Sequence, residues 1–296
     1  MKKVFITGST GFVGKYLINY FDKKLNFYLF KKGESIRINS DVVIHLAGKA
    51  HDLKKISTPD EYYQVNSKLT KKILDAFLSS KAKVFITLSS IKAVADEVSG
   101  ELTEEDIPSP ITHYGKSKLL AEQYIRSKEI PEGKRIYVLR PCMVHGTGNK
   151  GNLNLLYNFA SKGLPWPLGG FKNSRSYCSI ENLCFIIKEL IDRNDIPSGI
   201  YNVADDEPLS TNQVISLIAD SKGKRAKVLN LNKSFIRAVA RLGDFLELPL
   251  NTENLQKLTE SYLVSNTKIK AALGQPLPVS SKEGLLRTFQ SFSSNG

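Results

Sequence analysis

The sequence has 296 residues, of which 41% are hydrophobic and 24% charged, and its formal net charge is +13. This length suits one large domain or two unequal lobes, and the composition is that of an ordinary folded protein. Three cysteines are too few for a disulfide framework and show no metal-ligand spacing, so we expect a reduced, cytoplasmic protein without a metal site.

The basic charge raises the question of a nucleic-acid partner, because Lys and Arg side chains bind phosphate backbones. The basic residues are, however, spread along the chain in pairs and form no run with interleaved aromatic residues. The sequence also lacks the run of about twenty apolar residues that a membrane span needs. The apolar run at 4–7 is too short for a secretion signal. We therefore expect neither a nucleic-acid nor a membrane partner.

The N-terminal half alternates short apolar runs with helical patterns. Strands are predicted at 3–6, 27–30, 42–45, 84–88 and 136–139, and helices at 13–22, 62–78 and 113–127. Short strands separated by helices form βαβ units, whose strands are parallel and covered on both faces. The predicted fold class is therefore α/β, a Rossmann-type doubly wound parallel sheet.

The C-terminal half has a looser pattern. A loop rich in Gly and Pro at 163–170 is the predicted lobe boundary. The division is a Rossmann domain at 1–165, with a return of about 176–204, and a smaller mixed α/β lobe at 166–296. Within this half we predict helices at 180–192, 232–246 and 253–260, a strand at 199–203, a helix capped by Thr211, and a short strand and helix from residue 263 onward.

A glycine-rich loop follows the first predicted strand directly. Gly8 permits a tight exit from the strand, Gly11 lets the backbone approach a pyrophosphate, and Gly14 lets the next helix pack closely on the sheet. The amides at the start of that helix favour a negative charge. The loop predicts a site for a nicotinamide dinucleotide, with a purely structural turn as the alternative.

Two lysines, Lys31 and Lys32, follow the second predicted strand. An acidic residue there would bind the adenosine ribose of NAD, whereas a basic one would pair with the 2′-phosphate of NADP. The two lysines favour NADP and leave NAD open, since they are also ordinary exposed residues at a strand end.

Tyr114 and Lys118 are four residues apart on one face of a predicted helix. A neighbouring ammonium lowers the pKa of a phenol from its reference value near 10 and prepares it for proton transfer. Ser90 follows an apolar strand, where its hydroxyl could hold the reacting oxygen. A Tyr-Lys pair alone usually marks a solvated helix, so its meaning depends on the glycine loop and the serine that precede it.

Together these motifs resemble the extended short-chain dehydrogenase/reductases, in particular the NAD(P)-dependent nucleotide-sugar epimerases, dehydratases and 4-ketoreductases. The resemblance covers most of the chain, from residue 4 to about residue 289. It implies that Tyr114 exchanges a proton with a sugar hydroxyl or ketone, that Ser90 hydrogen-bonds the same oxygen, and that Lys118 lowers the pKa of the tyrosine and binds the nicotinamide ribose.

The resemblance also implies contacts with the two ligands. Cofactor contacts are expected at Gly8, Thr10, Gly11, Phe12, Val13, Gly14, Lys31, Lys32, Leu46, Ala47, Gly48, Asn66, Leu88, Tyr114, Lys118, Pro141 and Met143. Substrate contacts are expected at Ser90, Met143, Asn152, Trp166 and Arg175. Arg175 would bind the diphosphate, because a planar guanidinium suits phosphate oxygens. Asn152 would lie near the same phosphates, and Trp166 near the nucleotide base.

The favoured hypothesis is NADPH-dependent 4-ketoreduction of a UDP-6-deoxy-4-keto-N-acetylhexosamine for surface polysaccharide synthesis. Lys31 and Lys32 favour it, and the segment 89–93 resembles a subgroup linked to such sugars. A dehydratase is disfavoured, because dehydratases of this family place an acidic pair where this chain has Ile91 and Lys92. The alternatives are a 4-epimerase of UDP-glucose or UDP-N-acetylglucosamine, and a catalytically silent dinucleotide sensor. By analogy we expect a homodimer that pairs through helices 62–78 and 113–127.

Overall fold

The computed structural model describes residues 1–22, 24–50, 58–149, 152–246, 248 and 250–293, without the side chains of Asn152 and Ser293. Its centre is a six-stranded sheet in which every pair of neighbours is parallel and the order is β2-β1-β3-β4-β6-β9. The strands are β1 (Lys3–Thr7), β2 (Asn26–Leu29), β3 (Val42–His45), β4 (Val84–Leu88), β6 (Arg135–Pro141) and β9 (Gly199–Val203). Because β1 lies between β2 and β3, connections leave it in opposite directions and open a crevice at the carboxyl ends of these strands.

Helices cover both faces of this sheet. They are α1 (Phe12–Phe21), α2 (Pro59–Tyr62), α3 (Leu69–Leu78), α4 (His113–Arg126) and α6 (Ile180–Asp192). The core on one face includes Leu17 of α1 and Leu183 of α6, and the core on the other includes Phe77 of α3 and Ile125 of α4. Strands buried from both sides read as continuous apolar runs. The predicted doubly wound parallel sheet is confirmed.

The predicted helix at 62–78 is not one regular helix. Residues Tyr63–Lys68 form a π-helical segment between α2 and α3. Such segments insert a residue into a helix and often lie at functional sites. The predicted helix is present, but its π-helical segment was not predicted, because apolar periodicity does not report a single inserted residue.

A second group of helices packs around two further hydrophobic cores, and we call this group the C-terminal lobe. Its helices are α5 (Asn152–Ala160), α7 (Thr211–Asp220), α8 (Lys233–Phe245), α9 (Thr252–Thr259) and α11 (Ser281–Ser293). The helix α10 (Thr267–Leu273) instead packs on the central sheet, with Ile269 and Leu273 in its core. Two small parallel sheets pair β5 (Glu101–Leu102) with β10 (Leu263–Val264) and β7 (Met143–His145) with β8 (Tyr177–Ser179). Ser210, not Thr211, caps α7, and its side chain and that of Gln213 form a capping box. The division of the chain near residue 165 stays a prediction.

Candidate active site

The glycine loop joins β1 to α1 and lies against the segment after β3. Gly8 has a φ of +72°, and a Cβ there would lie 2.5 Å from the backbone nitrogen of Ala47. At Gly14 a Cβ would lie 2.3 Å from the carbonyl oxygen of Gly8. Both positions therefore require glycine, for the left-handed turn and for close packing of α1 respectively.

Gly11 is different, because its side-chain position is nearly open. A Cβ there would meet only the carbonyl oxygen of Gly8, at 3.3 Å. Gly11 and Thr10 are exposed, and Phe12 and Val13 are half-buried. Within the described chain no side chain caps the start of α1, and its first turn has no acidic residue. The first amides of a helix need acceptors, so this loop fits a diphosphate.

His45, at the end of β3, connects the loop to the π-helical segment through buried hydroxyls. The hydroxyl of Thr70 donates to the carbonyl oxygen of Asn66 at 2.8 Å, so it must accept from Nε2 of His45, 2.9 Å away. Nδ1 is then the acceptor for the hydroxyl of Thr7 at 2.7 Å, which in turn accepts from the amide of Ala47. This chain of bonds assigns the neutral Nε2–H tautomer to His45.

Asn66 and Lys118 meet next to Gly48 in the crevice. The side-chain amide of Asn66 donates to Ser117 Oγ and to the carbonyl oxygen of Lys49, each at 3.0 Å. The ammonium of Lys118 donates to the carbonyl oxygen of Leu88 at 2.7 Å. A Cβ on Gly48 would lie 3.1 Å from Lys118 Nζ and 3.3 Å from Asn66 Oδ1. Glycine at 48 therefore keeps space beside the ammonium, which has three N–H donors and uses one for Leu88.

Tyr114 and Ser90 lie together and form the second part of the site, after Asn66, Lys118 and Gly48. The phenol of Tyr114 lies close enough to the Ser90 side chain for that side chain to lower its pKa, and its ring contacts that of Tyr62 edge-on, with the ring centres 6.3 Å apart. Burial raises the pKa of Tyr114, while the Ser90 side chain opposes that rise. Burial also lowers the pKa of Lys118 to about 8, against the attraction of Glu122. The phenol of this half-buried side chain thus stays protonated at neutral pH, when it can act as a general acid.

A buried ion pair fixes the helix that carries these two residues. Glu122 of α4 accepts from Arg140 of β6, with Nη2 to Oε2 at 2.5 Å and Nε to Oε1 at 3.0 Å. The side chains of Arg140 and Glu122 are 0% and 1% exposed. Ser89, at the end of β4, donates to the same carboxylate at 2.5 Å. One carboxylate therefore joins α4 to the ends of two neighbouring strands.

The two lysines predicted to select NADP are exposed, and one residue separates them from the end of β2. The carboxylate of Glu34 accepts from the backbone amide of Lys31 at 3.1 Å. No acidic side chain stands at the strand end itself, and the first acid after it is Glu34. The predicted contacts of Lys31 and Lys32 with the cofactor stay predictions.

The expected substrate residues are spread around the crevice and the C-terminal lobe. Arg175 donates to the carbonyl oxygen of Lys257 and pairs with Glu260 at 3.7 Å. Trp166 is 5% exposed and its indole N–H donates to Asn212 at 3.0 Å, so the ring packs in the core of the lobe. The side chain of Asn152 lies outside the described residues. Met143 is half-buried and Pro141 is buried.

Several residues near the site were missed by sequence reasoning. Glu122, Arg140 and His45 bear on its geometry, and no role was predicted for any of the three. Lys92 also lies beside it, with Nζ 4.5 Å from the centre of the Tyr262 ring, and burial lowers the pKa of its ammonium. A charged residue inside the apolar run of β6 was the one available signal for Arg140, because buried charges require partners.

Comparison with known proteins supports the fold. The model of the NAD dependent epimerase/dehydratase family matches residues 33–204. The chain is 28% identical to the UDP-glucose 4-epimerase of Vibrio cholerae, over 98% of this chain and 95% of that protein. It is 25% identical to the GDP-6-deoxy-D-mannose reductase of Pseudomonas aeruginosa, over 74% and 80% of the two chains. The structure of RMD from Pseudomonas aeruginosa complexed with NADPH matches with a TM-score of 0.73 at 21% identity, covering 100% of both chains.

The ion pair predicts an asymmetric response to mutation. Arg140→Met leaves a buried, uncompensated carboxylate and should lower the free energy of unfolding in urea by about 3–5 kcal/mol. The double variant Glu122→Leu/Arg140→Met removes both charges and should recover most of that loss. Arg287→Met breaks an exposed i,i+4 pair with Glu283 and should cost less than about 1 kcal/mol. Equal losses in the single and double variants would contradict a role for charge.

His45 predicts acid sensitivity. Burial, and secondarily the charge of Lys118, lower the pKa of His45 from 6.5 to about 3. Below pH 6.5 the unfolded chain therefore binds a proton that the fold excludes, and stability falls as the pH falls towards 3. At pH 5 the loss is about 2 kcal/mol. Urea unfolding at pH 7.5 and 5 should show this loss in the wild type and not in His45→Gln. The exposed His113→Gln should behave as the wild type, and a wild-type response in His45→Gln would contradict the assignment.

Proposed function

The chain belongs to the NAD dependent epimerase/dehydratase family, and we propose that it reduces the C4 ketone of a nucleotide-diphosphate sugar with NADPH. The proposed substrate is a UDP-6-deoxy-4-keto-N-acetylhexosamine. The observation that carries the proposal is that Ser90 and Tyr114 lie together near the end of β4, where the buried ammonium of Lys118 donates to the carbonyl oxygen of Leu88. Two relatives support this class of reaction, since one is named as a UDP-glucose 4-epimerase and the other as a GDP-6-deoxy-D-mannose reductase.

The residues present fit a nicotinamide dinucleotide. The open position at Gly11 and the uncapped start of α1 suit the diphosphate, and the space that Gly48 leaves beside Lys118 suits the nicotinamide ribose. When bound, NADPH supplies the hydride that reduces C4. Exposed Lys31 and Lys32 without an acid at the strand end support NADPH over NAD, because the added 2′-phosphate is an anion.

The chain itself performs the acid catalysis. The phenol of Tyr114 donates its proton to the ketone oxygen, and the hydroxyl of Ser90 donates a hydrogen bond to the same oxygen. Both groups stabilise negative charge as it develops there. The ammonium of Lys118 then offsets the charge left on the phenolate, in a site where burial strengthens that interaction.

A 4-epimerase is the second candidate, and the similarity to the Vibrio cholerae enzyme supports it. An epimerase needs no net supply of hydride and keeps its cofactor bound. A reductase consumes NADPH in proportion to product. Two measurements therefore separate the two functions. One identifies the cofactor that is released when the purified protein is denatured, and the other follows the absorbance of added NADPH.

The first prediction on activity concerns the proton donor. Purified protein should consume NADPH in the presence of UDP-linked 4-keto sugars, and Tyr114→Phe should lower kcat about 10²- to 10⁴-fold by removing the acid. Tyr63→Phe is the matched control, because that phenol is exposed and bonded to His113. Conversion of a UDP-hexose, tested in parallel, to its C4 epimer without loss of NADPH would contradict the reductase. If Tyr114→Phe left the biological effect of the protein in cells unchanged, the protein would instead be a catalytically silent dinucleotide sensor.

The second prediction concerns pH. Because the pKa of Lys118 is lowered to about 8, its ammonium is present below that pH and is lost above it. The value of kcat/KM for reduction should thus be level below pH 8 and fall above it. Lys118→Arg retains its charge and should move the fall to higher pH, whatever its absolute rate. The exposed Lys116→Met on the same helix should keep the wild-type profile. A wild-type profile that stays level to pH 10 would contradict the role given to this charge.

A further inference from the structure

The outer face of α8 carries a stripe of exposed apolar side chains. Phe235, Leu242 and Phe245 are 61%, 56% and 84% exposed, and Leu246, directly after the helix, is 52% exposed. Residues spaced by seven and three positions lie on one side of a helix. Large apolar side chains that share one exposed face mark a contact surface more often than isolated exposed residues do.

This stripe is separate from the face that holds α8 to its lobe. The buried residues of the helix are Ile236, Ala240 and Gly243. The first two belong to the core around Trp166. A Cβ on Gly243 would lie 1.9 Å from the carbonyl oxygen of Leu250, so this side is closely packed. The apolar stripe therefore takes no part in the packing that holds α8 to the lobe.

A basic stripe runs beside the apolar one. Lys233, Arg237 and Arg241 recur every four residues and are exposed. Among the described residues none of the three forms an ion pair with a carboxylate. The carboxylate of Asp244 is already used, since it accepts from the amide and the hydroxyl of Thr252 at 2.8 and 2.5 Å. The three charges are thus available to an external anion.

The surrounding segment is also strongly basic. Residues 222–248 contain seven Lys and Arg residues and two acidic ones. A helix with exposed apolar and basic stripes side by side matches the chemistry of an anionic lipid surface, where acyl chains lie beside phosphates. A nucleic acid would use the cations and leave the apolar stripe in water.

We propose that α8 docks the protein on the surface of an anionic bilayer. Phe235, Leu242 and Phe245 enter the boundary between headgroups and acyl chains, while Lys233 and the two arginines bind lipid phosphates. This differs from the expectation of no membrane partner, which rested on the lack of a spanning segment. Among the described helices none is long and apolar enough to cross a bilayer. Docking lies beyond the proposed reaction and does not depend on it.

Sedimentation with lipid vesicles tests the proposal. The full chain should bind vesicles of equal phosphatidylcholine and phosphatidylglycerol at about 0.1 M NaCl, and binding should fall at least about tenfold on phosphatidylcholine alone or at high salt. Leu242→Ser/Phe245→Ser and Arg237→Gln/Arg241→Gln should each lose about tenfold. Ile107→Ser/Ile111→Ser removes apolar side chains that are 89% and 73% exposed elsewhere and should bind as the wild type. Circular dichroism checks that each variant is folded.

Two results would overturn the proposal. One is a wild type that stays in the supernatant with the anionic vesicles, or α8 variants that bind them as the wild type does. The other is a wild-type dimer that Leu242→Ser/Phe245→Ser converts to monomer without vesicle binding by either protein, because the surface would then be an interface between two copies. Vesicle binding in a protein that consumes no NADPH would leave the docking proposal intact and contradict only the proposed reaction.

Discussion

The rest of the site depends on the ion pair and hydrogen bonds of the Glu122 carboxylate. It accepts from Arg140 on β6 and from Ser89 at the end of β4, and it lies one turn along α4 from Lys118. A buried charge is costly unless it is paired and hydrogen-bonded, so these partners hold α4 in one position against the sheet. The position of the helix sets where Tyr114 and Lys118 meet the strand ends. Glu122 also raises the pKa of Lys118 against the opposing effect of burial.

The same edge of the sheet combines a rigid polar framework with open space. Thr7, His45 and Thr70 form a chain of buried hydrogen bonds beneath the loop, and every donor in that chain has an acceptor. Above it, Gly11 and Gly48 leave room where side chains would stand. Preorganised dipoles around an unfilled volume suit a ligand whose charge changes during reaction, because the surroundings need not rearrange. The framework therefore fits the proposal that one group of residues serves both cofactor binding and acid catalysis.

Much of the Rossmann core could be predicted from the sequence, because its signals are local. The strands at Val42–His45 and Val84–Leu88 have the predicted bounds, since each is a short apolar run between breakers. The pairing of Arg140 with Glu122 could not be predicted, because apolar periodicity says nothing about which charges meet across the core. The strand Glu101–Leu102 was missed for a related reason, since a two-residue strand has no periodicity of its own. The short strand and helix predicted from residue 263 onward are confirmed. The family resemblance is confirmed, while the roles of individual substrate residues stay predictions.

A labelled hydride gives the most direct test of the proposed reduction at C4. NADPH carrying deuterium on the transferred position of its nicotinamide ring is added with a UDP-linked 4-keto sugar, and the sugar product is examined by mass spectrometry and NMR. The proposed reduction predicts one deuterium at C4 for each NADPH oxidised, with proton delivery by Tyr114. A UDP-linked 4-keto sugar that stays unreduced, together with a UDP-hexose that the protein converts to its C4 epimer while the labelled cofactor stays unchanged, would contradict it.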